Sequence, residues 1–254
     1  MAASVVGAAL LTVVVLQAAG GHPAAHRQVR HLAPVQGALP PALPAATPAP
    51  VTLAQQPATV ATATVPTVPL YAAPGVGTPT GQLANPNQLG QPLVLLAVAT
   101  EGEWVQTMLP QRPNGSMAWV PLSDVTLSQD RYRIVVSLGA RNLVLYDGGT
   151  ATFSTSVAPG EPSSPTPTGS FYVTEVLKVN PPTTAYGPYA LGTSAFSNTY
   201  YSFDGGPGQI AIHGTNQPWL IGGYASHGCV RLPNAAITTL AQQVPPGTPV
   251  EIDP

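Results

Sequence analysis

The sequence predicts a mainly β protein, and three observations carry that expectation. Proline and glycine number 31 and 25 among 254 residues, a composition that favours turns and short strands over long helices. After residue 70, short runs rich in Val, Ile, Thr and Tyr recur between clusters of Gly, Pro, Asn and Asp. One stretch, "AAITTLAQQV", places apolar residues at helical spacing; Asn234 is its expected cap and Pro245-Pro246 stop it.

Taken in order, residues 2–19 are almost wholly apolar, and 1–20 read as a signal peptide or membrane anchor. No Lys or Arg precedes the run, whereas Arg27 and Arg30 follow it, which is the reverse of the usual orientation signal. Contact with a membrane is expected through this segment alone. Residues 21–69 read as a Pro/Ala/Thr-rich disordered linker: 34–69 hold nine prolines and no aromatic residue. Such a stretch, about 35 residues at ~3.1 Å each, reaches roughly 100 Å if fully extended. Order is expected from about Leu70. Within 70–126, Trp104 and Trp119 alternate with polar neighbours, and Asn114-Gly115 marks a hairpin. This stretch resembles a small bacterial SH3-like β barrel. A second β-rich unit is expected over 130–253, with three strands in "RYRIVVSLGARNLVLYDGGTATFSTSVA" turning at Asp147-Gly148, and a strand "GQIAIHG" ending at His213.

Charged residues make up only 7% of the chain and the formal net charge is −2, so no basic stripe invites nucleic acid. A single cysteine excludes an internal disulfide and leaves an intermolecular link, a reactive thiol or a small buried apolar side chain. That cysteine, Cys229, lies in "SHGCVR". Of the five histidines, His22, His26 and His31 sit near the apolar N-terminus, whereas His213 and His227 fall within 16 positions of Cys229. An imidazole beside a thiol promotes the thiolate, the form that attacks carbonyl carbon. His213, at a strand end, is the better-fixed general base, and a bend at Gly228 would align successive N–H groups as an oxyanion hole. A zinc site would need a fourth ligand that the spacing does not supply; no metal and no cofactor is expected.

"IHGTNQPWLIGGYASHGCVRLPN" resembles the active-site signature of the YkuD family of L,D-transpeptidases, and "TPTGSFYVT" resembles the start of that family's central strand. Twelve residues separate His213 from Ser226, as in shorter-loop members. The resemblance covers about 130–253. It implies a β-sandwich catalytic domain with one or two short helices. It implies Cys229 as nucleophile and His213 as base or acid, oriented through the Gly214 carbonyl. The N–H groups of His227, Gly228 and Cys229 would form the oxyanion hole. Ser226, Arg231 and Asn234 would meet substrate. The long 180–208 segment would lie over the site, with Tyr186 and Tyr189 as candidate contacts to a stem peptide.

The implied reaction joins two peptidoglycan stem peptides, donor and acceptor, through a cysteine thioester and forms a 3→3 cross-link outside the cytoplasm, in the cell wall or periplasm. Carbapenem-type β-lactams would be covalent inhibitors. Water as acceptor would make the chain an L,D-carboxypeptidase. A cell-wall binding protein without turnover is a further alternative, which the intact cysteine and histidines disfavour.

Overall fold

Strand formation begins earlier than the composition suggests. The computed structural model describes residues 57–203 and 205–254; the apolar segment 1–20 and the linker up to residue 56 lie outside the described residues. β1 (Ala58–Ala63) and β2 (Thr67–Leu70) fall inside the stretch expected to be linker as far as residue 69. The expectation failed because it counted large apolar side chains. β1 needs few of them, since Thr and Val favour the pleated backbone and both its edges are paired, with β4 (Val94–Glu101) and β7 (Val125–Asp130). Val60, Ala61 and Ala63 are buried there.

With β5 (Trp104–Met108) and β6 (Met117–Pro121) these strands form a five-stranded antiparallel sheet in the order β6-β5-β4-β1-β7. β2 pairs separately with β3 (Gly81–Ala84). The N-terminal module therefore runs from 58 to 130, wider than the expected 70–126. Asn114-Gly115 does lie between paired strands. The turn is not a two-residue one, because Met108 pairs with Met117 and the whole of 109–116 forms the connection.

The second unit is an eight-stranded sheet in the order β10-β9-β8-β15-β11-β12-β13-β14. Its strands are β8 (Tyr132–Ser137), β9 (Asn142–Asp147), β10 (Thr150–Ser156), β11 (Gly169–Lys178), β12 (Tyr189–Phe196), β13 (Gln209–His213), β14 (Val230–Arg231) and β15 (Pro249–Asp253). The β9–β10 hairpin turns at Gly148-Gly149, one residue beyond the expected pair, with φ of 57° and 85° that suit glycine. Two pairings are parallel, β15 with β8 and β13 with β14. The helix α1 (Asn234–Gln243) buries Ala236, Ile237 and Leu240. These join Ile134, Leu145, Leu191, Ile212 and Val250 in one core.

The two sheets share buried surface. Tyr172 of β11 is fully buried in the core of the N-terminal module, beside Leu95, Leu96 and Val105. Asp130, where β7 ends, accepts a hydrogen bond from the Thr248 hydroxyl. Glu175 of β11 accepts from Asn87 of the module at 3.4 Å and from Gln209 of β13 at 3.1 Å. Burial pushes the Glu175 carboxyl above the ordinary range, against the pull of Thr174 and Gln209. No helix among the described residues is long and apolar enough to cross a membrane.

Candidate active site

The alternation of "QIAIH" fixes which side chains face which way. Ile210 and Ile212 enter the core, leaving Ala211 and His213 on the other face. β14 continues that face. Ile212 pairs with Val230 and His213 with Arg231, so one step back Ala211 stands beside Cys229. The Ala211 N–H donates to Cys229 Sγ at 3.4 Å. Parallel partners carry their side chains on the same face. The register thus sets His213, Cys229 and Arg231 side by side, and all three line one cavity of about 410 Å³.

His213 is 4% exposed and its Nδ1 lies 2.6 Å from the Gly214 carbonyl oxygen. A carbonyl only accepts, so Nδ1 carries the proton and Nε2 is the basic nitrogen. Burial lowers the His213 pKa to about 4; the Gly214 bond opposes that shift and the nearby Arg231 charge adds to it. Burial also pushes the Cys229 thiol up, while the Ala211 N–H and Arg231 pull it down. At neutral pH the pair is therefore a neutral thiol beside a neutral imidazole. This departs from the expectation that the imidazole promotes the thiolate, because burial disfavours the charged form of each group.

The cysteine loop is held from beneath. Gly228 has φ 123°, and a Cβ there would meet Ile210 at 2.9 Å, so only glycine fits. Its carbonyl accepts from the Thr166 hydroxyl at 2.8 Å, and its N–H donates to the Ser226 hydroxyl oxygen at 3.1 Å. Two expectations change as a result. The Gly228 N–H is already partnered rather than waiting for an oxyanion. Ser226, 2% exposed, spends its hydroxyl on Gly228 and on the Cys229 carbonyl.

His227 turns outward, with its ring centroid 5.7 Å from that of Tyr200 and 5.2 Å from that of Phe203. Arg231 Nη1 donates to Gln217 at 3.2 Å, and its Nε is buried with no hydrogen-bond partner among the described residues. Tyr186 lines the cavity and packs on the His213 ring at 4.8 Å between centroids. Tyr189 does not line it: the ring packs against the core, and its backbone carbonyl accepts from the Gly214 N–H. Asn234 is the first residue of α1 rather than its cap, and its side-chain oxygen accepts from the Thr215 N–H at 2.8 Å. It fixes the turn after His213 from outside the cavity wall.

Sequence reading missed Tyr200, Phe203 and Gln209 in the wall, and Thr166 behind the loop. The aromatic run "YYSF" inside 180–208 was the available signal for the first two. Among the described residues no group of three or more His, Cys, Asp or Glu is arranged to hold a metal ion.

The thiol just before β14 and the imidazole that ends the parallel strand β13 line one cavity, a pairing of the kind used for nucleophilic acyl transfer. Residues 131–252 match the model of the L,D-transpeptidase catalytic domain YkuD. The putative L,D-transpeptidase YqjB of Bacillus subtilis is 32% identical over 139 residues, covering 52% of this chain and 76% of that protein. The putative L,D-transpeptidase YkuD of Bacillus licheniformis is 36% identical over 123 residues, covering 48% of this chain. This chain spans 66% of that relative's length. A solved structure of L,D-transpeptidase 3 from Mycobacterium tuberculosis, in complex with a faropenem-derived adduct, aligns at 16% identity and a TM-score of 0.40. That alignment covers 64% of this chain and 91% of that one. The chain belongs to the YkuD family of L,D-transpeptidases.

Proposed function

We propose that this chain is a peptidoglycan L,D-transpeptidase that acts outside the cytoplasm and forms 3→3 cross-links. The observation that carries the reading is the β13–β14 register, which sets the Cys229 sulfur on the Ala211 N–H and on the same face as His213. In the donor, a tetrapeptide stem, Sγ attacks the carbonyl carbon of the third residue as the S–H proton passes to His213 Nε2. The tetrahedral oxyanion takes hydrogen bonds from the His227 and Cys229 N–H groups. The C–N bond to the terminal D-alanine breaks, and His213 returns the proton to the leaving amine. A side-chain amine of a second stem then attacks the thioester, passing a proton through His213 to the departing sulfur. The buried Arg231 Nε–H supports a carboxylate contact for the guanidinium.

The test incubates full-length protein with a tetrapeptide and follows the products by mass spectrometry. Cross-linked dimer plus free D-alanine is expected, and Cys229→Ala abolishes both while its circular dichroism matches the parent. Tripeptide without dimer assigns the chain to L,D-carboxypeptidase. Binding to purified sacculi with neither product assigns it to the non-catalytic alternative. A carbapenem is expected to add once, at Cys229, and a protein with no adduct after long incubation counts against the thioester route.

A further inference from the structure

The connection 109–116 belongs to the N-terminal module, but its Arg112 and Asn114 side chains make their hydrogen bonds in the catalytic unit. The Asn114 side chain pairs with both backbone groups of Phe196: its amide nitrogen donates to the Phe196 carbonyl at 2.8 Å, and its oxygen accepts the Phe196 N–H at 2.8 Å. It thus extends β12 where that strand ends. Arg112 reaches the segment that follows. Nη2 donates to the carbonyls of Ser197 at 2.9 Å and Tyr200 at 3.0 Å, and Nη1 donates to that of Pro207 at 2.7 Å. The guanidinium carbon lies 4.8 Å from the Phe196 ring centroid and 4.7 Å from that of Tyr201. One rigid fork therefore ties together carbonyls from both ends of the crossing between β12 and β13.

That crossing carries Tyr200 and Phe203, which line the cavity over Cys229 and pack on His227. We infer that Arg112, supported by Asn114, is a positioning residue for the acyl-transfer site: the N-terminal module sets the aromatic wall against which the donor peptide lies. The module is then part of the substrate site, beyond any service as spacer. The substrate half of this inference rests on the transpeptidase reading. The positional half stands on the hydrogen bonds alone.

The experiment uses the full chain as Arg112→Ala, Arg112→Lys and Asn114→Ala. Hydrogen exchange, which needs no substrate, tests the clamp. Amides of 198–203 are expected to exchange about tenfold faster in Arg112→Ala, with those of 209–213 unchanged. Lysine, a point charge without the fork, restores part of the protection. Kinetics test the consequence: the KM for the tetrapeptide donor rises about fivefold or more while kcat changes by less than about twofold. Asn114→Ala shows the same pattern, more weakly, and serves if Arg112→Ala does not fold. Unchanged exchange in both alanine variants overturns the clamp. Faster exchange with an unchanged KM overturns its role toward substrate. A parent protein with no turnover, but with faster exchange in Arg112→Ala, overturns the transpeptidase reading and leaves the clamp standing.

Discussion

At Cys229 and His213 the decisive quantity is desolvation. A thiol raised and an imidazole lowered give no standing thiolate, so reactivity toward a small alkylating agent and reactivity toward substrate separate. Alkylation by iodoacetamide is expected to climb with pH beyond about 8.5, the ordinary thiol midpoint, without a plateau near neutrality. Such a profile is compatible with His213 as the base of the proposed reaction, because a base can act as the thiol attacks without holding a thiolate beforehand. In the proposed mechanism Nε2 takes the proton as the carbon–sulfur bond forms, so His213→Gln is expected to slow acylation by about 10²- to 10⁴-fold. The same residue leaves a mark on stability. Its folded pKa, about 4, lies below the ordinary 6.5, so the unfolded chain binds the extra proton between those values. The His213 contribution is therefore intact above pH 6.5 and is lost as pH falls towards 4, by roughly 3 kcal/mol in all. Denaturant unfolding of the parent and His213→Gln across that window should show the parent's extra acid loss; parallel curves would contradict the buried neutral imidazole.

Among the elements, the strands that carry the site are short, and loops do the aiming. Gly187, with φ 65°, brings the 180–188 loop against the turn after His213. A Cβ there would sit 2.4 Å from the Asn234 side-chain oxygen and 2.7 Å from the Gly214 Cα. Gly187→Ala is expected to cost about 1–3 kcal/mol through strained backbone and to lower kcat by displacing Gly214, which orients the imidazole. Thermal unfolding and single-turnover acylation check the two halves separately. These loops also mark where sequence reading stopped. His213 at a strand end and Cys229 after a glycine bend were legible, because strand alternation and the Ser-His-Gly-Cys spacing are local. That the Ser226 side chain turns back on its own loop was not legible, since it depends on the bend at Gly228, and that Asn234 serves the Thr215 N–H was not, since that partner is brought close only by folding. β1 escaped notice for a related reason: its burial comes from β4 and β7, more than 30 residues downstream.

On the scale of the whole chain, the module and the catalytic sheet are one folding problem. The described residues fall in a single compact unit, and Tyr172 shows why. It is a β11 residue by sequence, paired with Pro249 of β15, yet its ring is fully buried in the module's core. Removing it should empty a cavity between the two sheets that neither can refill alone. Tyr172→Ala is expected to cost about 3–5 kcal/mol, the usual range for a large aromatic in a core. The phenol adds a second, opposite lesson. Its hydroxyl is buried with no hydrogen-bond partner among the described residues, and burial pushes its pKa well above the ordinary value. Tyr172→Phe removes that unpaired group and keeps the ring, so it is expected to be neutral or stabilising by up to about 1 kcal/mol. Two-state denaturant unfolding reads both values. If the sheets share a core as described, Tyr172→Ala shifts a single transition, with fluorescence of Trp104 and Trp119 in the module moving together with Cys229 accessibility in the catalytic unit. Two separated transitions would mean that the ring merely plugs a gap between independent domains, and the coupling of the module to the site would then rest on polar contacts such as those of Arg112, Asn114 and Asn87.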